Sequence, residues 1–287
     1  MTNLQIIILS ALQGFTEFLP VSSSGHLILL SKFTSFPDQG LEIDIAVHVG
    51  SILAVMIYFW RDIRDMLYGL VNAFFNRFPS VKNFYLRKAS AAAKDFILNQ
   101  LPAADLRLLL MLVVGTVPAV VFGLALHHFG MEWLRSTKII GWNILLFGIL
   151  LWIADRFQPS KRSIADMTYK DAFLIGLAQC LAMIPGTSRS GISRFLRLER
   201  REAARFCMLL SVPAIAGAGL LVAAEIWQSG NYENLHYALS GIGYSFIASI
   251  AAIFIMMKWL KNYTFLPFVI YRVVLGIFLL LHSYGYI

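Results

Sequence analysis

Two short stretches of the chain carry side chains that could do chemistry. The first sets Gln13 and Glu17 four residues apart, on one face of a helix, and follows them with Ser22, Ser23, Ser24 and His26. The second reads Pro185-Gly186-Thr187-Ser188-Arg189-Ser190-Gly191, with Ser193 just beyond. Glu17 and Arg189 are the only Asp, Glu, Lys or Arg within residues 4–30 and 172–192. The planar fork of an arginine suits phosphate oxygens. Hydroxyls beside the free N–H groups of a Gly/Ser-rich turn that opens a helix form an anion-binding nest. A carboxylate is a poor phosphate contact but a good ligand for Mg²⁺ or Ca²⁺, which bridges phosphate oxygens. A nearby histidine or serine supplies a nucleophile or a general acid and base. Together these groups point to phosphate-ester or anhydride chemistry, with the attacking group left open.

The elements that position these residues are built for hydrocarbon. Of 287 residues, 58% are hydrophobic and 14% charged, against roughly 45–50% and 25% in soluble domains. Apolar segments run over 43–60, 108–127, 138–154, 172–192, 206–227, 239–257 and 265–284, close to the roughly 20 residues that a bilayer span needs. Nineteen of the 24 Lys and Arg lie in 61–107, 155–171, 194–205 and 258–261, the loops expected on the cytoplasmic side. The net charge of +8 is therefore a topology signal, and no nucleic-acid partner is expected. Cys180 and Cys207 both fall in apolar stretches and read as core residues. There is no GxxxxGK loop and no HExxH spacing.

Counting spans gives the topology. The basic stretches 155–171 and 194–205 flank 172–192, so that segment should enter the membrane, turn at Pro185-Gly186 and return as a re-entrant hairpin. Residues 4–19, Pro20-Val21-Ser22-Ser23-Ser24-Gly25-His26 and 27–30 read as the same device. Pro20 aligns with Pro185, and the copies are followed by apolar spans 43–60 and 206–227. With 31–42 outside and 194–205 inside, the hairpins enter from opposite faces, an inverted repeat whose broken helices meet near the midplane. Such turns are tolerated at depth only around a protein-lined or watery cavity, so the substrate is one that lives in lipid. The expected fold is an all-α integral membrane bundle with two re-entrant helix hairpins in an inverted-topology repeat. Residues 1–287 form one transmembrane domain: 1–60 is the first hairpin plus span, 61–107 a basic cytoplasmic interfacial segment on anionic lipid, and 172–228 the second hairpin plus span. Ser22 reads as filling a close helix contact, and Asp44, His48 and Arg272 as structural.

The sequence resembles the undecaprenyl-pyrophosphate phosphatase family of the bacitracin-resistance type, lipid phosphatases of the bacterial inner membrane. Gln13-Gly14-Phe15-Thr16-Glu17 with the Ser-rich turn through His26 is similar to one family motif, and 185–191 to another. Gly115-Thr116-Val117-Pro118-Ala119, Glu202-Ala203-Ala204-Arg205-Phe206 and Pro267-Phe268-Val269-Ile270-Tyr271-Arg272 follow in family order, so the resemblance covers nearly the whole chain. It implies metal-aided hydrolysis of undecaprenyl pyrophosphate to the monophosphate and inorganic phosphate. That step recycles the carrier of peptidoglycan synthesis and resists bacitracin, which sequesters the pyrophosphate.

The resemblance also implies roles for residues. Glu17 with Gln13 would hold the Mg²⁺ or Ca²⁺ or polarise water, and His26 with Ser23 or Ser24 would supply the nucleophile or move the proton. Arg189, with Gly186, Thr187, Ser188, Ser190 and Ser193, would clamp the pyrophosphate at a site open to the periplasm. Gln13 stands where many relatives carry a carboxylate, and the stretch from Gly191 to Arg200 is shorter than the family pattern. Polyprenyl pyrophosphate and membrane lipids are the expected partners, and pairing into a homodimer is left open. The alternative is a transporter or lipid flippase for a phosphate-bearing substrate, since inverted repeats with broken helices are a transporter plan. A phosphatidic-acid-type phosphatase would need a second histidine soon after Arg189, and none occurs before His236.

Overall fold

A computed structural model describes residues 2–34, 36, 39–100, 106–129, 132–157, 162–187, 194–229 and 235–287. Ser188, Arg189, Ser190, Gly191 and Ser193, and with them the start of the shortened stretch before Arg200, lie outside the described residues.

The described chain is helical: α1 Asn3–Phe18, α2 Ser23–Phe33, α3 Gly40–Tyr58, α4 Trp60–Arg77, α5 Pro79–Lys88, α6 Ala91–Asp95, α7 Leu106–Phe129, α8 Thr137–Phe157, α9 Tyr169–Ala182, α10 Arg200–Ser229, α11 Leu235–Asn262 and α12 Leu266–Ser283. Six of these, α3, α7, α8, α10, α11 and α12, are long and apolar enough to cross a membrane. They fall on the apolar runs of the sequence, and α10 begins earlier because Arg200, Arg201 and Glu202 are already helical. The chain is therefore a multi-pass, all-α membrane protein. By contrast α1, α2 and α9, with 16, 11 and 14 residues, reach only about 24, 17 and 21 Å at about 1.5 Å per residue. A hydrocarbon core is about 30 Å thick.

Local sequence explains where the short helices start and stop. Thr2 and Gln5 form a capping box at the start of α1, and Thr168 and Asp171 form one at the start of α9. α1 ends at Leu19-Pro20, and Ser22 turns the chain with φ of 72° before α2 begins. After α9 the chain turns through Pro185 and Gly186, the latter at φ of 92°.

The helices pack in a pattern that is unchanged when the two halves of the chain are exchanged. α1 lies on α11, and α9 lies on α7. Gly14 of α1 faces Ser245 to Ser249 while Ser10 faces Gly241, so this pair is parallel; Gly115 faces Ala172 and Gly123 faces Met183, so α7 and α9 are parallel too. The equivalent helices α3 and α10 contact each other with Val49 near Gly219, and Asp62, just past the end of α3 in α4, pairs with Arg205 near the start of α10, so α3 and α10 run antiparallel. α8 and α12 do the same, with Gly141 at Leu279 and Gly148 at Arg272. Equivalent elements running in opposite directions are the mark of an inverted repeat.

The basic stretches meet at one end of this bundle. Asp155, near the end of α8, accepts from Arg194 and Arg200 and from the backbone N–H of Phe265, and Arg205 pairs with Asp62 and Glu202. Arg162 donates to Asp171 in the first turn of α9 and to the carbonyl of Leu196, and its backbone bonds Arg197 and Glu199. The chain entering at Tyr169 and the chain arriving at Glu199 thus sit side by side. Burial alone would raise the Asp171 carboxyl; the Arg162 guanidinium and the N–H and hydroxyl of Thr168 outweigh it and hold the carboxyl below its usual range. Helices α4 to α6 occupy the basic segment after α3. Met66 of α4 packs into the core against α7, while Trp60, Leu67, Leu70, Phe74 and Phe78 face outward.

Candidate active site

The two turns touch. The backbone N–H of Gly186 donates to Ser22 Oγ at 3.0 Å. Arg272 of α12, fully buried, donates to the carbonyls of Pro20 in one turn and Gly186 in the other, and to those of Asn143 and Ile144 on α8. Asn143 Nδ2 donates in turn to the Pro185 carbonyl. A buried guanidinium with only neutral acceptors is costly unless its donors are satisfied, and the four carbonyls satisfy it by holding both turns in one place. Asn143 is 12 positions from Asp155 along α8, about 18 Å from the basic end at about 1.5 Å per residue.

On the α1 side of the junction is a compact polar cluster. Glu17 Oε2 accepts from Ser23 Oγ at 2.6 Å and from Gln13 Nε2 at 3.0 Å, and all three residues are buried. The helical spacing of Gln13 and Glu17 puts them together as the sequence requires. Ser23 arrives at Glu17 because Ser22 turns the chain back. Ser23 is also the first residue of α2, where backbone N–H groups lack helical partners and the helix dipole favours negative charge. His48 of α3, which the sequence analysis takes as structural, lies with Nε2 3.5 Å from Glu17 Oε2.

His26 stands beside this cluster, half-buried. Its Nδ1 lies 2.7 Å from the carbonyl of Ser22, and its Nε2 lies 2.7 Å from the hydroxyl of Tyr271. A carbonyl only accepts, so the neutral ring donates from Nδ1 and takes the tyrosine proton at Nε2. The hydroxyl of Thr187 donates to the carbonyls of Leu181 and Ile184 and so braces its own turn. Gly186 is required by its position: a Cβ there would lie 2.6 Å from the Ile140 carbonyl oxygen. Ser24 is half-buried next to Ser23. The structure thus joins Gln13, Glu17, Ser23, His26, Gly186 and Thr187 at the two turns. Asn143, Tyr271 and His48 are additions that sequence reasoning did not place there.

The donor set fits a divalent cation. Gln13 is fully buried and its Oε1 has no hydrogen-bond partner among the described residues, next to the carboxylate of Glu17. Among the described residues no three His, Cys, Asp or Glu converge on a metal position. A site of one carboxylate and an amide oxygen suits a hard ion that keeps waters and takes further ligands from a substrate's phosphates.

A family model described as bacitracin resistance protein BacA matches residues 6–278. The chain is similar to the undecaprenyl-diphosphatase of Roseobacter denitrificans, 40% identical over 290 residues covering 99% of this chain and 100% of that protein. It is similar to the undecaprenyl-diphosphatases of a Ruegeria species and of Ruegeria pomeroyi, at 42% and 41% identity with the same coverage.

Proposed function

The chain belongs to the bacitracin resistance protein BacA family, and we propose that the junction of its two turns is the site at which it hydrolyses undecaprenyl pyrophosphate. The activity is that of an undecaprenyl-diphosphatase: the lipid pyrophosphate becomes undecaprenyl phosphate and inorganic phosphate, and resistance to bacitracin follows from removing the antibiotic's target.

The observation that carries the site is the 2.6 Å contact from Ser23 Oγ to Glu17 Oε2. A hydroxyl already donating to a buried carboxylate is a nucleophile beside its base. Ser23 Oγ attacks the terminal phosphorus, Glu17 takes its proton, and the P–O bond to the bridging oxygen breaks to release undecaprenyl phosphate. Water then cleaves the phosphoserine to free serine and inorganic phosphate, with His26 passing a proton through the nitrogen that meets Tyr271. The first N–H groups of α2, with Ser24, stabilise the phosphoryl oxygens. Arg189, with Ser188, Ser190 and Ser193, clamps the pyrophosphate beside Gly186 and Thr187. Glu17 and the amide oxygen of Gln13 would hold Mg²⁺ or Ca²⁺, which would supply neutralisation of phosphate charge.

In the bacterial inner membrane the basic end faces the cytoplasm, the two hairpins are re-entrant, and the site, about 18 Å from that end at 1.5 Å per residue, opens to the periplasm. The outward apolar face of α4 and the basic residues of 61–107 rest on anionic lipid.

Phosphate release from a C15 or C55 prenyl pyrophosphate in detergent, with Mg²⁺ or Ca²⁺, tests this reading. Release should depend on metal and be lost in Glu17→Ala and Arg189→Ala, and Ser23 should carry phosphate in rapidly quenched samples. No release from folded wild type would sink the assignment. The antiparallel repeat favours the transport reading as the runner-up, to be tested by lipid translocation in vesicles.

A further inference from the structure

Glu17 has a neighbour that the reaction above leaves unused. His48 Nε2 lies 3.5 Å from Glu17 Oε2, with the imidazole about one-fifth exposed. Its Nδ1 is 2.6 Å from the main-chain carbonyl of Asp44, whose side chain is in turn held by Gln39. The carbonyl can only accept, so Nδ1 bears a proton and Nε2 is the ring nitrogen left to face a carboxylate oxygen. An imidazole nitrogen and a carboxylate oxygen at this distance share a positive charge, carried by a proton on Nε2 or by a metal ion between them. The 3.5 Å separation leaves room for a metal ion at about 2.1 Å from each atom. The partnerless Oε1 of buried Gln13 belongs to the same cluster.

We propose that His48 is a nitrogen ligand of the divalent cation at this site, giving a set of one imidazole, one carboxylate and one amide oxygen that prefers Mn²⁺ to Mg²⁺ and Ca²⁺. The inference rests on the reading that Glu17 and Gln13 hold a cation. Mg²⁺ and Ca²⁺ favour oxygen ligands. An imidazole moves preference towards transition metals, for which nitrogen is a better donor. The hydrogen bond to Asp44 orients the ring and raises the basicity of Nε2, as such outer partners do in metal sites.

The experiment is Mn²⁺ binding to the full-length protein in detergent, followed by electron paramagnetic resonance, with pulsed detection of nitrogen coupled to the bound ion. Wild type should show imidazole nitrogen coupling. His48→Gln and His48→Asn should lose the coupling and weaken Mn²⁺ binding at least about tenfold, the low end for disturbed metal sites, with Mg²⁺ affinity changed far less. Mn²⁺ bound to wild type without nitrogen coupling overturns the proposal, and this reading needs no variant to fold. Coupling that survives in His48→Gln assigns the nitrogen elsewhere and also overturns it, leaving His48 and Glu17 as a simple ion pair. Mn²⁺ binding unchanged in Glu17→Gln shows instead that the underlying cation site is wrong, whatever His48 does.

Discussion

Replacing Gly186 by alanine tests whether the contact between the two turns makes the site. The residue has φ of 92°, where a side chain costs about 1–2 kcal/mol. Its new Cβ would lie 2.6 Å from the Ile140 carbonyl oxygen and 2.9 Å from Asn143 Cβ. Relieving that overlap to ordinary contact at 3.4 Å requires a shift of about 0.8 Å, and such overpacking costs about 1–3 kcal/mol. The two costs act through different atoms, so Gly186→Ala should lose about 2–5 kcal/mol of stability. The shift also carries the N–H that binds Ser22 and the carbonyl that binds Arg272. A misplacement of that size costs on the order of 10²-fold in rate. Gly243→Ala is the control, because nothing lies within 4 Å of its Cβ position, and in a helix it should be neutral or gain up to about 1 kcal/mol. The assays are denaturant unfolding of purified protein in detergent and phosphate release per folded molecule. If Gly186→Ala unfolds and turns over like Gly243→Ala, the turns are not coupled as the structure has them.

Arg272→Met removes the donor to four carbonyls and should cost about 2–4 kcal/mol, since unmet buried acceptors outweigh the relief of desolvating the charge; unfolding curves unchanged from wild type would refute this. Ser23 and Glu17 act as one unit, so the double variant Ser23→Ala with Glu17→Ala should release phosphate no more slowly than the worse single variant. Multiplied losses in single-turnover assays would show independent roles. Asp171 has a depressed folded-state pKa, so its pairing with Arg162 and Thr168 stabilises the protein fully above the unfolded value of about 3.9 and is lost as pH falls below it. Melting temperatures of wild type and Asp171→Asn should therefore differ by a constant amount from pH 6 to 9 and converge below about pH 4.

The spans were legible because hydrocarbon imposes a length, and the basic stretches on either side of 172–192 were legible as neighbours because like loops gather at one end. Gln13 and Glu17 were legible through helical spacing alone. What brings Ser22 to Gly186, or Tyr271 to His26, is contact between residues far apart in the chain, which no local pattern encodes. Arg272 was readable as structural, since it sits in a span without an acidic neighbour in sequence, but its acceptors are main-chain carbonyls and leave no trace in residue type. His48 is set between Val47 and Val49 in an apolar helix. The signal that would have placed it is that an ionisable side chain inside a span is a functional candidate by default.

The same long-range contacts decide between hydrolysis and transport. A carrier with this repeat works by rocking one half against the other about a fixed site, which requires the two hairpins to separate or slide. Here the junction is tied by the Gly186 N–H to Ser22 and by one guanidinium that reaches both turns, and Gly25 lies beside Gly186, where a Cβ would sit 3.5 Å from the Gly186 backbone. Parting the turns would leave a buried arginine and several buried carbonyls unpaired, each at about 1–3 kcal/mol or more. Such a junction is suited to holding a nucleophile and its base at fixed distance through a reaction, because preorganised groups need no rearrangement as charge develops. The contacts between the two turns therefore favour an enzyme.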